Sequence, residues 1–330
     1  MKAVHKRLAL ATMLVAQQAA VPQALAQAFP AKPIHVIVPF PTGGLLDATL
    51  RVVGPQVTES TGQPVLIENR PGGATFIGMN ACAKAAPDGY TLCSSTPDSL
   101  SFNPFLYNNA PYDPANDFTG VTNLVFTGAA LIYTGRPGQY SSFRDLIEKA
   151  KAKPGTVNMA TWGPGSAADL YLRYINQQFG VEIVPVPYKG AAPALTATLG
   201  GEVDMSFWGI GTLTPHVKSG KIKGLVAALK RTPAAPDVPS FPDLGVPDPN
   251  IQQYFGLYAP AKVPAAIIDR LNAEFVKAVR SPQTGKFLAV QTFEAVGNSS
   301  AEFTAFMKAD RENAGRLLKS FGVKPVDVPQ

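Results

Sequence analysis

Charged residues are scarce in this chain: Asp, Glu, Lys and Arg make up 16% of its 330 residues. No run of Lys or Arg and no basic patch interleaved with aromatics occurs, so nucleic acid is not an expected partner. Histidine numbers three and cysteine two. The cysteines have no His beside them, which leaves no ligand set for a metal. No apolar run approaches the roughly 20 residues that a membrane-spanning helix needs. Proline (31) and glycine (29) are by contrast abundant and imply many short loops between elements. The length exceeds one comfortable hydrophobic core and points to two domains.

The start of the chain reads as an export signal. Lys2, Lys6 and Arg7 form a basic region, Leu8 to Ala16 an apolar one, and Ala24-Leu25-Ala26 a small-residue cleavage site before Gln27. Removing residues 1–26 takes three basic residues and no acidic one, which lowers the formal charge from +6 to +3. No Cys stands at the cleavage point, so no lipid anchor is expected. The mature product is expected to be exported and soluble.

The most informative stretch is Val38-Pro39-Phe40-Pro41-Thr42-Gly43-Gly44-Leu45-Leu46-Asp47. It follows a short apolar run, Ile34 to Val38, that reads as a buried parallel strand. It precedes Leu46, Leu50, Val53 and Val57, whose spacing puts them on one helix face. A strand, a glycine turn and a helix in that order leave free N–H groups at a helix N-terminus, a ready site for an anion. The turn has neither the Lys of a phosphate loop nor G-x-G-x-x-G, so a carboxylate rather than a nucleotide is expected there, and no cofactor.

The same unit recurs. Val65 to Asn69, Tyr90 to Cys93, Val157 to Thr161, Ile183 to Val186, Val203 to Phe207, Leu225 to Leu229 and Tyr254 to Ala259 read as strands. Helices are expected over Ala74 to Ala85, from a Ser142/Asp145 capping pair to Lys151, from Pro264 to about Arg280, and from Ala301 to Phe321. A proline-dense connector runs from Pro233 to Pro249. Strands alternating with helices argue for an α/β fold with parallel sheets, whose ligands sit beyond the strand C-termini. Cys82, near a helix end, and Cys93, in the next strand, can pair in an oxidising compartment; the alternative is two small buried hydrophobes.

Seven segments in order, PFPTGGLLD, ENRPGG, APDGYTL, NPFLYNNAPYDPANDF, VPYKGAAPALTATLGGEVDMSF, PHVKSGKIKGL and YFGLYAPAKVP, resemble the substrate-binding receptors of tripartite tricarboxylate transporters, the Bug-type receptors. The resemblance runs from about Phe29 to the C-terminus. It implies a bacterial periplasmic protein with the type II periplasmic binding protein fold: two doubly wound lobes joined by a two-segment hinge. The lobes would be residues 29–126 with 254–330, and residues 127–253. It also implies a monomer that hands a small carboxylate to a membrane permease; delivery to a sensor kinase is the alternative role. Carried across by position, Phe40, Thr42, Gly43, Gly44 and Asp47 would hold one carboxylate, with Ser95 and Thr96 facing it. Gly165, Ser166 and Ala167 would bind from the other lobe, and the loops at Tyr188, Lys189 and Gly190 and at Trp208 to Thr212 would close the far end.

This chain departs from the family pattern at three places: Asp169-Leu170 follows the G-P-G-S turn where His-Leu is usual, Trp208 stands where Asp or Asn is common, and Trp162 where small or polar residues are common. Both tryptophans are thus expected in cleft loops, favouring a flat aromatic carboxylate. Plainer readings exist: Asp47 as a first-turn carboxylate serving its own helix, Lys189 as a solvated charge, His35 as a core or edge residue, His216 on an exposed helix surface. An enzyme is not expected, because Gly163-Pro164-Gly165-Ser166 lacks the Gly that completes a nucleophile elbow and no acid–base pair accompanies it.

Overall fold

The computed structural model describes residues 29–128, 130–228 and 235–328. The expected signal peptide at 1–26 and Pro233 of the connector lie outside the described residues. In the first part of the chain come β1 (Ile34–Val38), α1 (Leu45–Thr61), β2 (Val65–Asn69), α2 (Phe76–Ala83), β3 (Thr91–Ser95), a π-helical turn at Asp98–Phe102, α3 (Asn103–Leu106), β4 (Tyr107–Asn108) and β5 (Phe118–Phe126). The middle part holds β6 (Ala130–Thr134), α4 (Phe143–Ala152), β7 (Asn158–Thr161), α5 (Ala167–Phe179), β8 (Val184–Pro187), α6 (Ala191–Leu199), β9 (Ser206–Gly209), α7 (Ile210–Lys218) and β10 (Lys223–Ala227). The last part adds β11 (Tyr254–Pro260), α8 (Ala265–Val279), α9 (Pro282–Gln291), β12 (Glu294–Ala295), α10 (Ser300–Ser320) and β13 (Val326–Asp327).

Two main sheets form from these strands, and β4 and β13 make a separate parallel pair. The first runs β12-β5-β11-β3-β1-β2, with β1 parallel to β2 and β3, and β11 antiparallel to β3 and β5. In the second, β6 lies antiparallel between β10 and β9, while β7 and β8 form a parallel pair. A parallel bridge from Met159 to Met205 sets that pair beside β9. The strands therefore line up as β8-β7-β9-β6-β10. β11 in the first sheet and β6 in the second, each antiparallel to both its neighbours, are the strands that arrive from the other lobe. β6 follows the crossing at Thr127 and Gly128, and β11 follows the return crossing at Gln253. The crossings are tied together, since Thr127 donates its N–H to the Gln253 carbonyl at 2.9 Å. This is the two-segment hinge of a type II periplasmic binding protein.

The elements form where apolar spacing requires them. Leu46, Leu50, Val53 and Val57 of α1 are all buried, and they pack with Val36 and Val38 in the core of the first lobe. His35 is exposed on an inner strand rather than in the core or at a sheet edge. Cys82 and Cys93 are disulfide-bonded with Cα atoms 5.9 Å apart, which pins α2 to β3. Helix α4 is capped as its sequence signals: Ser142 Oγ accepts the Asp145 N–H at 3.1 Å. The strand expected to end at Phe207 instead runs over Ser206–Gly209. Trp208 and Gly209 are thus strand residues, not loop residues, because Trp208 pairs with Leu131 and Gly209 with Ala130 of β6.

Candidate ligand-binding site

Between the two lobes lies a cavity of about 170 Å3. Four helices begin at its wall. Gly44, Leu45 and Leu46 bring the N-terminus of α1, Ala167 that of α5, Gly190, Ala191, Ala192 and Pro193 that of α6, and Gly209 that of α7. Gly44, Gly190 and Gly209 are the N-caps of their helices, and none has a side chain to satisfy the free N–H groups. Each such terminus carries about half a positive charge. The only basic side chain among the described lining residues is Lys189, which is exposed; no arginine lines the cavity.

The loop after β1 organises itself before any ligand arrives. Asp47 is the third residue of α1 and accepts the Gly43 N–H at 3.1 Å. Arg51 grips the same carboxylate, with Nε at 3.0 Å and a second nitrogen at 3.0 Å. Thr42 Oγ1 and Arg51 both donate to Asn69 Oδ1, and Asn69 returns a hydrogen bond to the Phe40 carbonyl. Burial pushes the Asp47 carboxyl up, but the hydrogen bonds from Arg51, Gly43 and Asn69 outweigh it and hold it below the ordinary carboxylate range. The expectation that Gly43 offers its N–H to a ligand is therefore corrected: Asp47 takes it, and Gly43 stands outside the lining.

Several other sequence-predicted site residues spend their polar groups locally and do not line the cavity. Ser95 Oγ bonds Ser99 Oγ beneath the surface. Ser166 Oγ donates to the Gly163 carbonyl at 2.7 Å and caps α5. Gly165 donates its N–H to Asp169 Oδ2 at 2.9 Å, while Tyr188 packs against the small cluster around Ala194 and Val203. Phe40, Thr42, Gly44, Asp47, Thr96, Trp162, Ala167, Lys189, Trp208 and Gly209 do line it. Asp169 turns back onto its own helix, where Arg173 Nε pairs with it at 2.9 Å, so it adds no free charge to the cavity.

Sequence reasoning missed Thr127 and Gln253 from the hinge, Asp98 from the turn after β3, and Phe207, Phe255 and Phe293. Asp98 was visible as the acid closing the Ser94-to-Asp98 loop beyond a strand C-terminus. The phenylalanines carried no local signal, because β9, β11 and the residue after α9 meet only in the folded chain. Asp98 is 8% exposed, and its Oδ1 has no hydrogen-bond partner. Burial pushes its carboxyl up to about 7. Its own N–H and the nearby Thr96 hydroxyl pull the other way, although Thr96 Oγ1 makes no hydrogen bond of proper geometry. Trp208 Nε1 and Gln253 Nε2 are also buried without a partner. Thr96, Asp98, Trp208 and Gln253 thus line the cavity, and each holds a buried polar atom without a partner.

Aromatic rings supply most of the remaining wall. Trp162 lies 6.4 Å from Trp208 at 75° and 6.2 Å from Phe207, and Phe255 meets Phe293 edge-on at 5.6 Å. The lobes also touch beside the cavity. A Cβ on Gly165 would stand 2.1 Å from Leu106 Cδ1, and one on Gly211 would stand 2.4 Å from the Val290 carbonyl oxygen. Thr212 Oγ1 donates to Gln291 Oε1 at 3.3 Å across the same seam. Among the described residues no helix is long and apolar enough to cross a membrane.

Residues 49–323 match the model of the tripartite tricarboxylate transporter family receptor. Protein BugT of Bordetella pertussis is 32% identical over 301 residues, covering 91% of this chain and 92% of that protein. Among solved structures, Rhodopseudomonas palustris Rpa4515 with adipate is 28% identical with a TM-score of 0.83, over 90% of this chain and 99% of that one. MatC from the same species, with bound malate, is 26% identical with a TM-score of 0.81, over 88% of this chain and 100% of its own.

Proposed function

This chain belongs to the tripartite tricarboxylate transporter family of periplasmic solute-binding receptors, the Bug-type receptors, and from that premise we propose that it captures an aromatic carboxylate between its lobes and delivers it to the membrane permease of such a transporter. In this reading residues 1–26 are a cleaved signal peptide, and the ligand is bound and released unchanged. The lobes are residues 29–126 with 254–330, and residues 127–253.

One observation carries the reading: three glycine-capped helix N-termini open onto one cavity with no arginine among its described lining residues. An anion gathered by backbone dipoles needs no bulky cationic clamp. Charge-assisted hydrogen bonds are worth roughly 1.5–3 kcal/mol each, so a few give binding that a transporter can still reverse. Trp208 Nε1 and Gln253 Nε2 add side-chain donors for the carboxylate. The ring-lined walls favour a flat guest by stacking, worth about 0.5–1.5 kcal/mol beyond area burial. The adipate and malate held by the two relatives support the carboxylate class.

The test is a thermal-shift and calorimetry panel on the mature protein with benzoate, phthalate, terephthalate, adipate, malate and succinate. A ligand at 100 times its dissociation constant adds about 2.7 kcal/mol of stability. At least one aromatic acid is expected to bind more tightly than every aliphatic one. Tighter binding of succinate or malate than of any aromatic acid overturns the aromatic preference, and no binding by any carboxylate overturns the receptor reading. Gly44→Val is the control. Gly44 has φ −73° and only the Pro41 carbonyl oxygen near a built Cβ, at 3.8 Å, so the variant is expected to fold and to lose affinity.

A further inference from the structure

Resting on the carboxylate-receptor reading, we propose that Asp98 sets the specificity of this site by receiving a protonated amine, so that the ligand carries an amine as well as a carboxylate.

Two other aspartates beside the cavity are paired with cations. Asp47 and Asp169, at the helix starts beside the cavity, each have an arginine four residues later, Arg51 and Arg173. Asp98 has Phe102 at that distance, itself buried. No salt bridge among the described residues involves Asp98, and its Oδ1 has no hydrogen bond, although the residue is 8% exposed and lines the cavity. A carboxylate removed from water needs a cation or donors close by. Here the protein supplies no cation, only the residue's own N–H and the nearby Thr96 hydroxyl, and the residue lines the cavity.

The surroundings separate an amine from other guests. Donors for the ligand's own carboxylate are already present in Trp208 Nε1, Gln253 Nε2 and the three glycine-capped helix starts. Asp98 is therefore not required as a further donor to that carboxylate. Trp162, Phe207, Trp208 and Phe255 line the same cavity. Aromatic faces attract a desolvated ammonium group through their quadrupoles. A carboxylate set among rings is the pairing that a cationic amine selects, whereas a purely anionic diacid would bring a second negative charge towards Asp98.

The experiment compares 4-(aminomethyl)benzoate with 4-methylbenzoate by calorimetry on the mature protein and on Asp98→Asn. The two ligands share ring, length and carboxylate and differ in the amine. Wild type is expected to bind the aminomethyl compound at least tenfold more tightly, and Asp98→Asn is expected to bring the two within about twofold, chiefly by weakening the amine ligand. Equal affinities in wild type, or an amine preference that survives in Asp98→Asn, overturn the proposal and leave the receptor reading standing. If the variant is not recovered folded, the wild-type comparison decides alone. Failure of both compounds and of adipate, malate and succinate to bind overturns the receptor reading itself.

Discussion

Asp47 and Asp169 occupy matching positions in the two lobes. Each is the third residue of its helix and accepts the N–H of the glycine four residues earlier, Gly43 at 3.1 Å and Gly165 at 2.9 Å. Each also pairs with the arginine four residues later. Part of the positive end of each of these two helices is thus met from within, and each glycine turn is locked by its own carboxylate. Helices α6 and α7, in the second lobe, have glycine caps, Gly190 and Gly209, and no acidic residue in the first turn.

Asp169→Asn tests the structural half of this arrangement. Asp169 does not line the cavity, so the expected result is a loss of about 1–2 kcal/mol in urea unfolding, from the weakened cap and the i,i+4 pair, with ligand affinity changed by less than about threefold. A large loss of affinity with unchanged stability would place Asp169 in ligand contact instead. For Asp47, whose carboxyl is held low, the stabilisation is present above the unfolded pKa of about 4 and is lost as pH falls through the lower folded value. Asp47→Asn is expected to be less stable than wild type at pH 7 and to approach it near pH 3.

Asp98 shows the opposite sign. Its folded pKa is raised to about 7 by burial, with Asp169 raising it further; Tyr107 also feels its charge. Between about pH 4 and 7 the folded state holds the proton that the unfolded state has released, so this group costs stability as pH rises through that window. Asp98→Asn is expected to melt with wild type near pH 4. At pH 8 it should be more stable by about 2–4 kcal/mol, an order of magnitude taken from 1.36 kcal/mol per pKa unit. Equal melting of the two proteins at pH 8 would show that Asp98 is not buried as a lone carboxylate.

The Cys82–Cys93 bond closes a short loop, with a sequence separation of 11. Chain-entropy arguments assign such a loop about 2–3 kcal/mol. Cys82→Ser with Cys93→Ser is expected to lower stability by that amount, and dithiothreitol is expected to lower the melting temperature of wild type but not of the double variant. A reductant-insensitive wild type would contradict the pairing.

Gly211 tests lobe contact apart from ligand contact. A Cβ there meets the Val290 carbonyl oxygen at 2.4 Å and Gln291 Cα at 2.6 Å, backbone atoms of the opposite lobe that cannot yield cheaply. Gly211→Val is expected to hold the lobes apart, seen as a larger radius of gyration in solution scattering, and to weaken binding at least tenfold without lining the cavity. An unchanged radius with unchanged affinity would show that this seam plays no part in closure.

Much of the fold was legible locally. The strand at Ile34–Val38, the glycine turn and the stripe Leu46, Leu50, Val53 and Val57 follow from residue spacing alone, because period and turn chemistry act within one element. The glycine turn itself was misread in one respect: nothing local says that Asp47 reaches back to Gly43. Ser95 and Ser166 were expected as ligand contacts by position in the family resemblance, yet neighbouring partners Ser99 and Gly163 take their hydroxyls. Trp208 looked like a loop residue because the strand signal fades at Gly209, and only pairing with β6 extends it.

The sequence by itself determined the α/β alternation, the glycine-led start of α1 and the family to which the chain belongs. Those are properties of short segments and of their order. Which further groups line the cavity was decided by tertiary structure. Thr127 and Gln253 meet as hinge partners 126 residues apart, Phe255 and Phe293 arrive on different elements, and Asp98 becomes a buried carboxylate without a salt bridge only in the folded chain. Burial and partnership are properties of the closed shape: the same aspartate in an open loop would be solvated, ionised and without selective effect.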